Sequence, residues 1–548
     1  MSDFIKKLDI KNNKIKYIIG AIVFVLQCVA TGVTVDYFRR LNVLPAKYFG
    51  LIVGVLAVLL LITLLLNLTK KKVHIFGKVF GVLVCAGLFC VCFYAHHALS
   101  MLTEITDEHY DVDIYALSVL QESSIKHITD MPGKKVGVID TMNNKTMVDD
   151  ALAQVKKAAG AENILYKSYA NIAALLEGIN SKEVDAILYS KNLTESFDEV
   201  IEGFTETIRD IAEYEVKVVV SDVIQIPTEA ETEGDSEKET ESTAPLWTDN
   251  IKVPVYNPAH DPNAAAGGGY IGGDNTRDNS SKGPITNRTF NVYISGQDAY
   301  GKVSGRSRSD VNIIMTVNPM TKEILLTNTP RDYYVPIPGV TPSNIRDKLT
   351  HAGQFGVWTS VATLENVYEI RIDYYVKVNF TSFVQIVDAL GGVQVESPAN
   401  FTTVNGYKFE KGTVSIATGA RALAFARERK AFATGDHQRG KNQMSLINGI
   451  INKAMSPALL TNFADIVNSV KASVQTNMTM DEITALVKMQ LDNPSSWSIK
   501  QQAASGTGGQ RYCYTLGAAN STVLPSQSSL DSCKRNINNY LNKKPATN

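Results

Sequence analysis

Three apolar runs stand within the first hundred residues, Tyr17 to Val35, Tyr48 to Leu68 and roughly Ile75 to Leu99, each almost free of charge. A hydrocarbon core takes about 20 consecutive apolar residues in helical form, so each run is long enough to span a membrane. A cleavable signal peptide is the weaker reading, because no small-residue cleavage pattern follows the first run and two further spans come soon after. The residues ahead of the first run carry Lys6, Lys7, Lys11, Lys14 and Lys16, and the loop before the third carries Lys70, Lys71, Lys72 and Lys78. Cytoplasmic loops are enriched in Lys and Arg, so the N-terminus is predicted inside and everything after about residue 100 outside. Arg39, Arg40 and Lys47 in the first loop weaken that bias without reversing it, and His96 and His97 read as interfacial residues rather than metal ligands.

The formal net charge is −1, which excludes a nucleic-acid footprint at the level of the whole chain. Four of the six cysteines, Cys28, Cys85, Cys90 and Cys92, fall inside the apolar runs, where a thiol is a small apolar group. Cys513 and Cys533 lie outside them. In an oxidising exterior this pair closes a loop of about 20 residues and is predicted to form a disulfide worth on the order of 3 kcal/mol, two free thiols being the alternative.

Composition divides the rest of the chain. After a membrane region 1–104, residues 105–226 alternate strand-like runs (Ile114 to Leu120, Lys135 to Ile139, Ile164 to Tyr166, Ala186 to Tyr189, Val216 to Val220) with helix-like stretches (Thr146 to Ala159, Ile172 to Ser181), predicting a small α/β lobe. The phrases IKHITDMPGKKVGVID and LLEGINSKEVDAILYS in it resemble one lobe of the extracytoplasmic solute-binding proteins, which implies an accessory docking or regulatory module. Residues 227–286, with TEAETEGDSEKETEST and DPNAAAGGGYIGGDN, hold too little apolar surface to fold alone and read as a linker. Residues 287–456 then mix strands and helices, predicting an α/β/α sandwich, and 457–548 are expected to complete that domain, with amphipathic helices at Phe463 to Val474 and Asp481 to Leu491.

In this domain, charge gathers at the ends of three apolar strands. Phe290 to Ser295 is followed by Asp298; Val311 to Val317 is preceded by Arg308 and Asp310; Glu323 to Thr327 is followed by Arg331 and Asp332. Carboxylates suit a hard cation and guanidinium forks suit phosphate, so one sheet rim predicts a metal-plus-phosphate site, with a plain rim of salt bridges as the alternative. A second basic cluster follows. Arg427 and Arg429 are two residues apart and share a face only if their helix ends there, and beyond them stand Asp436, Arg439 and Gln443, the last two one helical turn apart. Arginines converging without an anion repel one another, so either the acids pair with all of them or a polyanion does.

The chain resembles the LytR-CpsA-Psr family of cell-wall phosphotransferases. The residues that carry the resemblance are Gly296 to Asp298, Arg308-Ser309-Asp310, Pro330-Arg331-Asp332, Asp347-Lys348-Leu349, Asp388-Ala389-Leu390-Gly391-Gly392-Val393, Arg427-Glu428-Arg429, and Asp436 with Arg439 and Gln443, across roughly residues 287–456. Many members carry a second arginine just before the glutamine; here that position is Asn442.

The resemblance implies a membrane-anchored enzyme of a Gram-positive-type envelope. Such an enzyme takes a glycopolymer (teichoic acid, capsule or another secondary wall polymer) from an undecaprenyl-pyrophosphate carrier and joins it to peptidoglycan through a phosphodiester. On this reading Asp298 and Asp310 hold Mg²⁺ or Mn²⁺, Arg308, Arg331, Arg427, Arg429, Arg439 and Gln443 hold the pyrophosphate, and Asp332 or Asp436 orients an arginine or accepts the hydroxyl proton. A polyprenyl-pyrophosphate phosphatase uses the same groups but delivers water. A non-catalytic envelope sensor or regulator is the remaining alternative, and the short cytoplasmic segments leave it no signalling domain.

Overall fold

A computed structural model describes residues 2–41, 46–69, 73–106, 110–141, 144–219, 283–299, 305–342, 345–432, 435–456 and 474–545, so the expected linker up to residue 282 lies outside the described residues. The chain forms two compact units.

The first unit is built on the helices Ser2–Leu41, Ala46–Leu68 and Val73–Thr106. Within them Ile18–Arg39, Lys47–Leu68 and Ile75–Phe93 are long and apolar enough to cross a membrane. Glycines let the helices touch. A Cβ on Gly81 would stand 2.6 Å from Val23, and one on Gly77 would stand 2.7 Å from Leu66, the small-residue contact that helices use where lipid removes the hydrophobic drive to associate. Leu51, Leu83 and Phe89 point outward and are exposed. The helix Met480–Asp492, closed by a capping box between Thr479 and Glu482, belongs to this unit and pairs Asp492 with Lys47 at 3.5 Å. That corrects the expectation that it completes the transferase domain. An amphipathic stripe requires one face to be covered and does not say by what. Of the other expected helix, Phe463 to Val474, only Val474 is described, at the start of a short strand.

The second unit carries two sheets. In the lobe the strand order is Leu165–Tyr169, Lys135–Ile139, Ala186–Ser190, Tyr110–Leu120, Ile208–Val219, the first three mutually parallel and the last two forming a long antiparallel ribbon. The helix Lys145–Ala159 buries Met147, Val148, Ala151, Leu152 and Val155 against one face and Ile172–Asn180 buries Leu175, Leu176 and Ile179 against the other, as the β-then-α alternation predicted.

The lobe is not a separate body tethered by the linker. Cys513 and Leu516, from the C-terminal hairpin Gly506–Cys513 and Ala518–Pro525, sit in its core beside Leu175 and Phe197. The amides of Ile172 and Ala173 donate to the carbonyls of Thr515 and Leu516, each at 2.9 Å. This packing also overturns the disulfide. Cys513 belongs to the lobe's core whereas Cys533, on the helix Gln527–Asn542, packs with Tyr333 and Tyr368 in the core of the other sheet, and both thiols are free and buried. Burial lifts both thiols, Cys533 to about 11 and Cys513 further.

The larger sheet has the order Val474–Thr476, Tyr374–Asn379, Phe290–Gln297, Val311–Asn318, Glu323–Asn328, Ser498–Ala503. Phe290–Gln297 runs parallel to Tyr374–Asn379 and antiparallel to Val311–Asn318, and Glu323–Asn328 runs parallel to Ser498–Ala503. Tyr293, Ile314 and Leu325 pack on one side against the helices Val357–Tyr368 and Gln527–Asn542. On the other side lie the helices Phe380–Ala389, Gly419–Arg427 and Asp436–Ala454. The last of these approaches the strand Val393–Ser397 at Gly449, where a Cβ would stand 2.2 Å from the Gln394 carbonyl.

Candidate active site

The carboxylates meet because their strands are neighbours in register. Gly296 pairs with Val311, and a Cβ on Gly296 would stand 2.7 Å from the Val311 side chain, so only glycine allows the approach. The amide of Asp310 donates to the Gly296 carbonyl at 2.8 Å and the amide of Asp298 to Asp310 Oδ2 at 3.3 Å. Burial raises the Asp298 carboxyl above its ordinary value, with Asp310 adding to the shift and Arg427 opposing it. Arg427 lies 3.4 Å from Asp298, and Arg331 donates to Asp310 at 2.7 Å.

The arginine pair depends on a helix end. Gly419–Arg427 stops at Arg427 and Glu428 is extended, with φ −67° and ψ 124°. Side chains on an extended segment alternate. Glu428 therefore turns inward, accepting from the amides of Val404 at 3.2 Å and Ala431 at 2.9 Å, while Arg427 and Arg429 both reach the cavity. Phe380 was not singled out from the sequence, yet its ring lies 4.4 Å from the Arg427 guanidinium and supports it by cation–π attraction.

Asp298, Asp310, Arg331, Arg427, Arg429, Arg439 and Gln443 line one end of a cavity of about 450 Å³, within the ~300–1,000 Å³ typical of ligand sites. Four guanidiniums against two carboxylates leave an excess of two positive charges. The other end is apolar, lined by Ile294, Met315, Val376, Phe383, Leu446 and Ile450. The helix Asp436–Ala454 shows both characters along one stripe, with Arg439 and Gln443 followed by Leu446 and Ile450. Phe383 and Ile386 also line this cavity, whereas Val387 and Leu390 on the same stretch are buried in the interior.

Two expected site residues, Arg308 and Asp332, are placed elsewhere. Arg308 turns away from the cavity and donates to Glu199 and, at 2.8 Å, to Ser196 Oγ of the lobe. Burial would lift the Glu199 carboxyl, but Arg308, with Lys348 and His351 nearby, outweighs it and the pKa falls below the ordinary glutamate value. Asp332 is not part of the cavity lining; it lies 3.8 Å from both Arg331 Nε and Lys348 Nζ. Asp436 begins the helix that carries Arg439, and its side chain is outside the described atoms. Asn442 is buried, donating to the Phe425 carbonyl at 3.2 Å and accepting from Gln438 at 3.0 Å, on the side of the helix away from Gln443. His351 hydrogen-bonds Asp347 at 2.7 Å in a buried cluster closed by Thr515, which donates to Asp347 through its amide and hydroxyl, both at 2.6 Å.

A divalent cation fits this donor set. Among the described residues no group of three His, Cys, Asp or Glu side chains could enclose a metal. Two adjacent carboxylates with open space beside them suit Mg²⁺, which is commonly held by one or two carboxylates and completed by substrate phosphates and water.

The chain has relatives among known proteins. The LytR_cpsA_psr family model matches residues 269–538. The polyisoprenyl-teichoic acid–peptidoglycan teichoic acid transferase TagU of Bacillus anthracis (strain CDC 684 / NRRL 3495) is 35% identical over 249 residues, 44% of this chain and 80% of that protein. TagU of Bacillus subtilis (strain 168) is 38% identical over 221 residues, 40% of this chain and 69% of that protein. The crystal structure of B. subtilis TagU, 33% identical, aligns with 47% of this chain and all 100% of its own length at a TM-score of 0.37. On the sequence relationship and the motif residues gathered around one cavity, this chain belongs to the LytR-CpsA-Psr family.

Proposed function

We propose that this protein transfers a glycopolymer from a polyprenyl-pyrophosphate carrier to peptidoglycan, forming a phosphodiester. The observation that carries the proposal is the single cavity with an arginine-rich mouth and an apolar rear, the shape and polarity of a pyrophosphate head on a hydrocarbon tail. The names of the relatives, teichoic acid transferases, support wall teichoic acid or a similar secondary polymer as the cargo.

Arg331, Arg427, Arg429 and Arg439 clamp the pyrophosphate oxygens and Gln443 adds a neutral donor. Asp298 and Asp310 would hold Mg²⁺ or Mn²⁺, which supplies neutralisation of the charge on the two phosphates. Phosphoryl transfer is accelerated mainly by positioning and by stabilising charge that develops on the leaving phosphate. A peptidoglycan sugar hydroxyl attacks the sugar-linked phosphate, the bridging P–O bond breaks, and the polyprenyl monophosphate leaves. Asp332 orients Arg331, and Asp436, opening the helix of Arg439, takes the hydroxyl proton. Arg308 acts indirectly, by fixing the turn that ends at Asp310. With the lysine-rich segments inside, three membrane spans deliver this machinery to the outer face of a Gram-positive-type membrane.

The test is reconstitution of the full chain in lipid nanodiscs with a polyprenyl-pyrophosphate-linked polymer, Mg²⁺ and soluble peptidoglycan fragments, with products read by mass spectrometry. A polymer–peptidoglycan phosphodiester is expected. Release of free polymer phosphate alone identifies a phosphatase instead.

A further inference from the structure

The helix Asp436–Ala454 borders a second cavity. Where Arg439, Gln443, Leu446 and Ile450 look into the donor pocket, Gln438, Lys441, Ser445 and Asn452 line a cleft of about 630 Å³ whose other walls come from Val393–Ser397 and the edge strand Ser498–Ala503. The two cavities share no lining residue.

The chemistry of the cleft is that of carboxamides, Gln394, Gln438, Asn448, Asn452 and Gln501, whereas the amide of Gln502 is spent on Thr327, Cys533 and Asn536. Several are held by one internal hydrogen bond. Gln438 donates to Asn442 at 3.0 Å, Asn452 to Asn448 at 2.6 Å, and Gln501 to the Met444 carbonyl at 3.3 Å. A carboxamide has two N–H donors and two acceptor lone pairs, so one internal bond orients the group and leaves both kinds of partner for a ligand. Charge is balanced, with Glu396 and Lys441 as the ionised lining residues, and Pro398 and Ala503 provide carbon surface between the amides. Paired donors and acceptors with apolar strips and no excess charge match hydroxyls, acetamido groups and the C–H faces of sugar rings. A polyanion gains nothing here, in contrast to the excess of positive charge in the donor pocket.

We propose that this cleft binds the neutral, N-acetylated glycan strand of the acceptor, lying along the helix so that one sugar hydroxyl arrives at its first turn, where Gln438 stands next to Arg439. The assignment to the acceptor rests on the transferase reading above; the neutral sugars of the donor polymer have related chemistry, and the experiment separates the two.

The full chain in nanodiscs is photolabelled with a diazirine-bearing N-acetylglucosamine tetramer, with wall teichoic acid released from peptidoglycan as the competing polyanion. Saturable labelling is expected on the peptides around Gln394, Asn452 and Gln501, uncompeted by the polyanion. The double variant Gln394→Ala/Asn452→Ala is expected to lower labelling by about tenfold or more at an unchanged melting temperature. Should that variant lose stability, the near-isosteric Gln394→Glu at an exposed position serves, and reduced labelling is again expected. Labelling at the arginine pocket instead, absence of saturation, wild-type labelling of the variants, or displacement by released teichoic acid overturns the proposal. Labelling requires no turnover, so a chain that takes the tetramer in the cleft but transfers nothing disproves the transferase reading while keeping a glycan site.

Discussion

Arg308 donates its guanidinium to Glu199, a residue 109 positions earlier in the chain, although Asp310, two residues on, stands in the donor pocket. The turn that delivers Asp310 to the cavity is therefore anchored in the lobe. Gln354 adds to the same junction by donating to Ser196 at 3.2 Å and to the Asn192 carbonyl at 3.3 Å. Removing the lobe strips acceptors from Arg308 and uncovers Cys513 and Leu516. A protein that begins near Pro284 is expected to be destabilised and to lose most turnover.

The single change Glu199→Ala is expected to cost about 1–3 kcal/mol, the usual range for a partly buried charged hydrogen bond left without its partner. Denaturant melts check it. Because the Glu199 pKa is depressed in the fold, its contribution is present above the ordinary carboxylate range and disappears as pH falls through the folded value. Wild type and variant should thus converge in stability at strongly acidic pH.

Arg429 belongs to the surplus of guanidiniums that line the cavity. Arg429→Gln is expected to leave the ligand-free protein as stable or slightly more stable, since it relieves repulsion, and to lower turnover by roughly 10²–10³-fold, as loss of one charge-stabilising donor does elsewhere. A melt with and without a polyprenyl pyrophosphate reads both. A large loss of ligand-free stability would instead make Arg429 a salt-bridge residue.

Asp298 carries a raised pKa, so its ionised form is disfavoured in the folded protein and its contribution to stability declines as pH rises from its unfolded toward its folded value. Asp298→Asn should accordingly raise the melting temperature of the metal-free protein at neutral pH, abolish the response of melting to added Mg²⁺, and remove most activity. For the wild type, activity is expected to fall on acidification at a higher pH than an unperturbed aspartate would give.

Neither Cys513 nor Cys533 is bonded, and both thiols are held protonated by burial. Reductant is expected to leave the melting temperature unchanged. Alkylation mapped by mass spectrometry should reach these two positions only after denaturation. Protection that persists in denaturant without reductant would restore the disulfide.

Much of the site was legible in the chain because its signals are local. Asp298 and Asp310 flank strands whose apolar runs announce themselves, and the spacing of Arg427 and Arg429 demanded a helix end that the structure places at Arg427. Arg439 and Gln443 needed only helical periodicity. What was illegible depends on partners remote in sequence. Arg308 sits in a motif and looks like its neighbours, and nothing near it signals that Glu199 and Ser196 will take its guanidinium. Cys513 and Leu516 read as ordinary hairpin residues until the lobe closes over them. Likewise, the apolar spacing of Phe383, Ile386, Val387 and Leu390 specifies one buried stripe, but not that two of the four border a void.

The contact between Gly449 and the Gln394 carbonyl bears on the width of the arginine-lined cavity. With hydrogen in place of a methyl, the helix rests directly on the strand behind it. A methyl at position 449 has no room behind it and would drive the rod toward Met315 and Val376, narrowing the apolar end of the cavity. On the transfer proposed above, Gly449→Ala should therefore favour shorter prenyl chains over longer ones while the arginines stay where they are, although position 449 does not line that cavity; turnover compared across carrier lengths reads it.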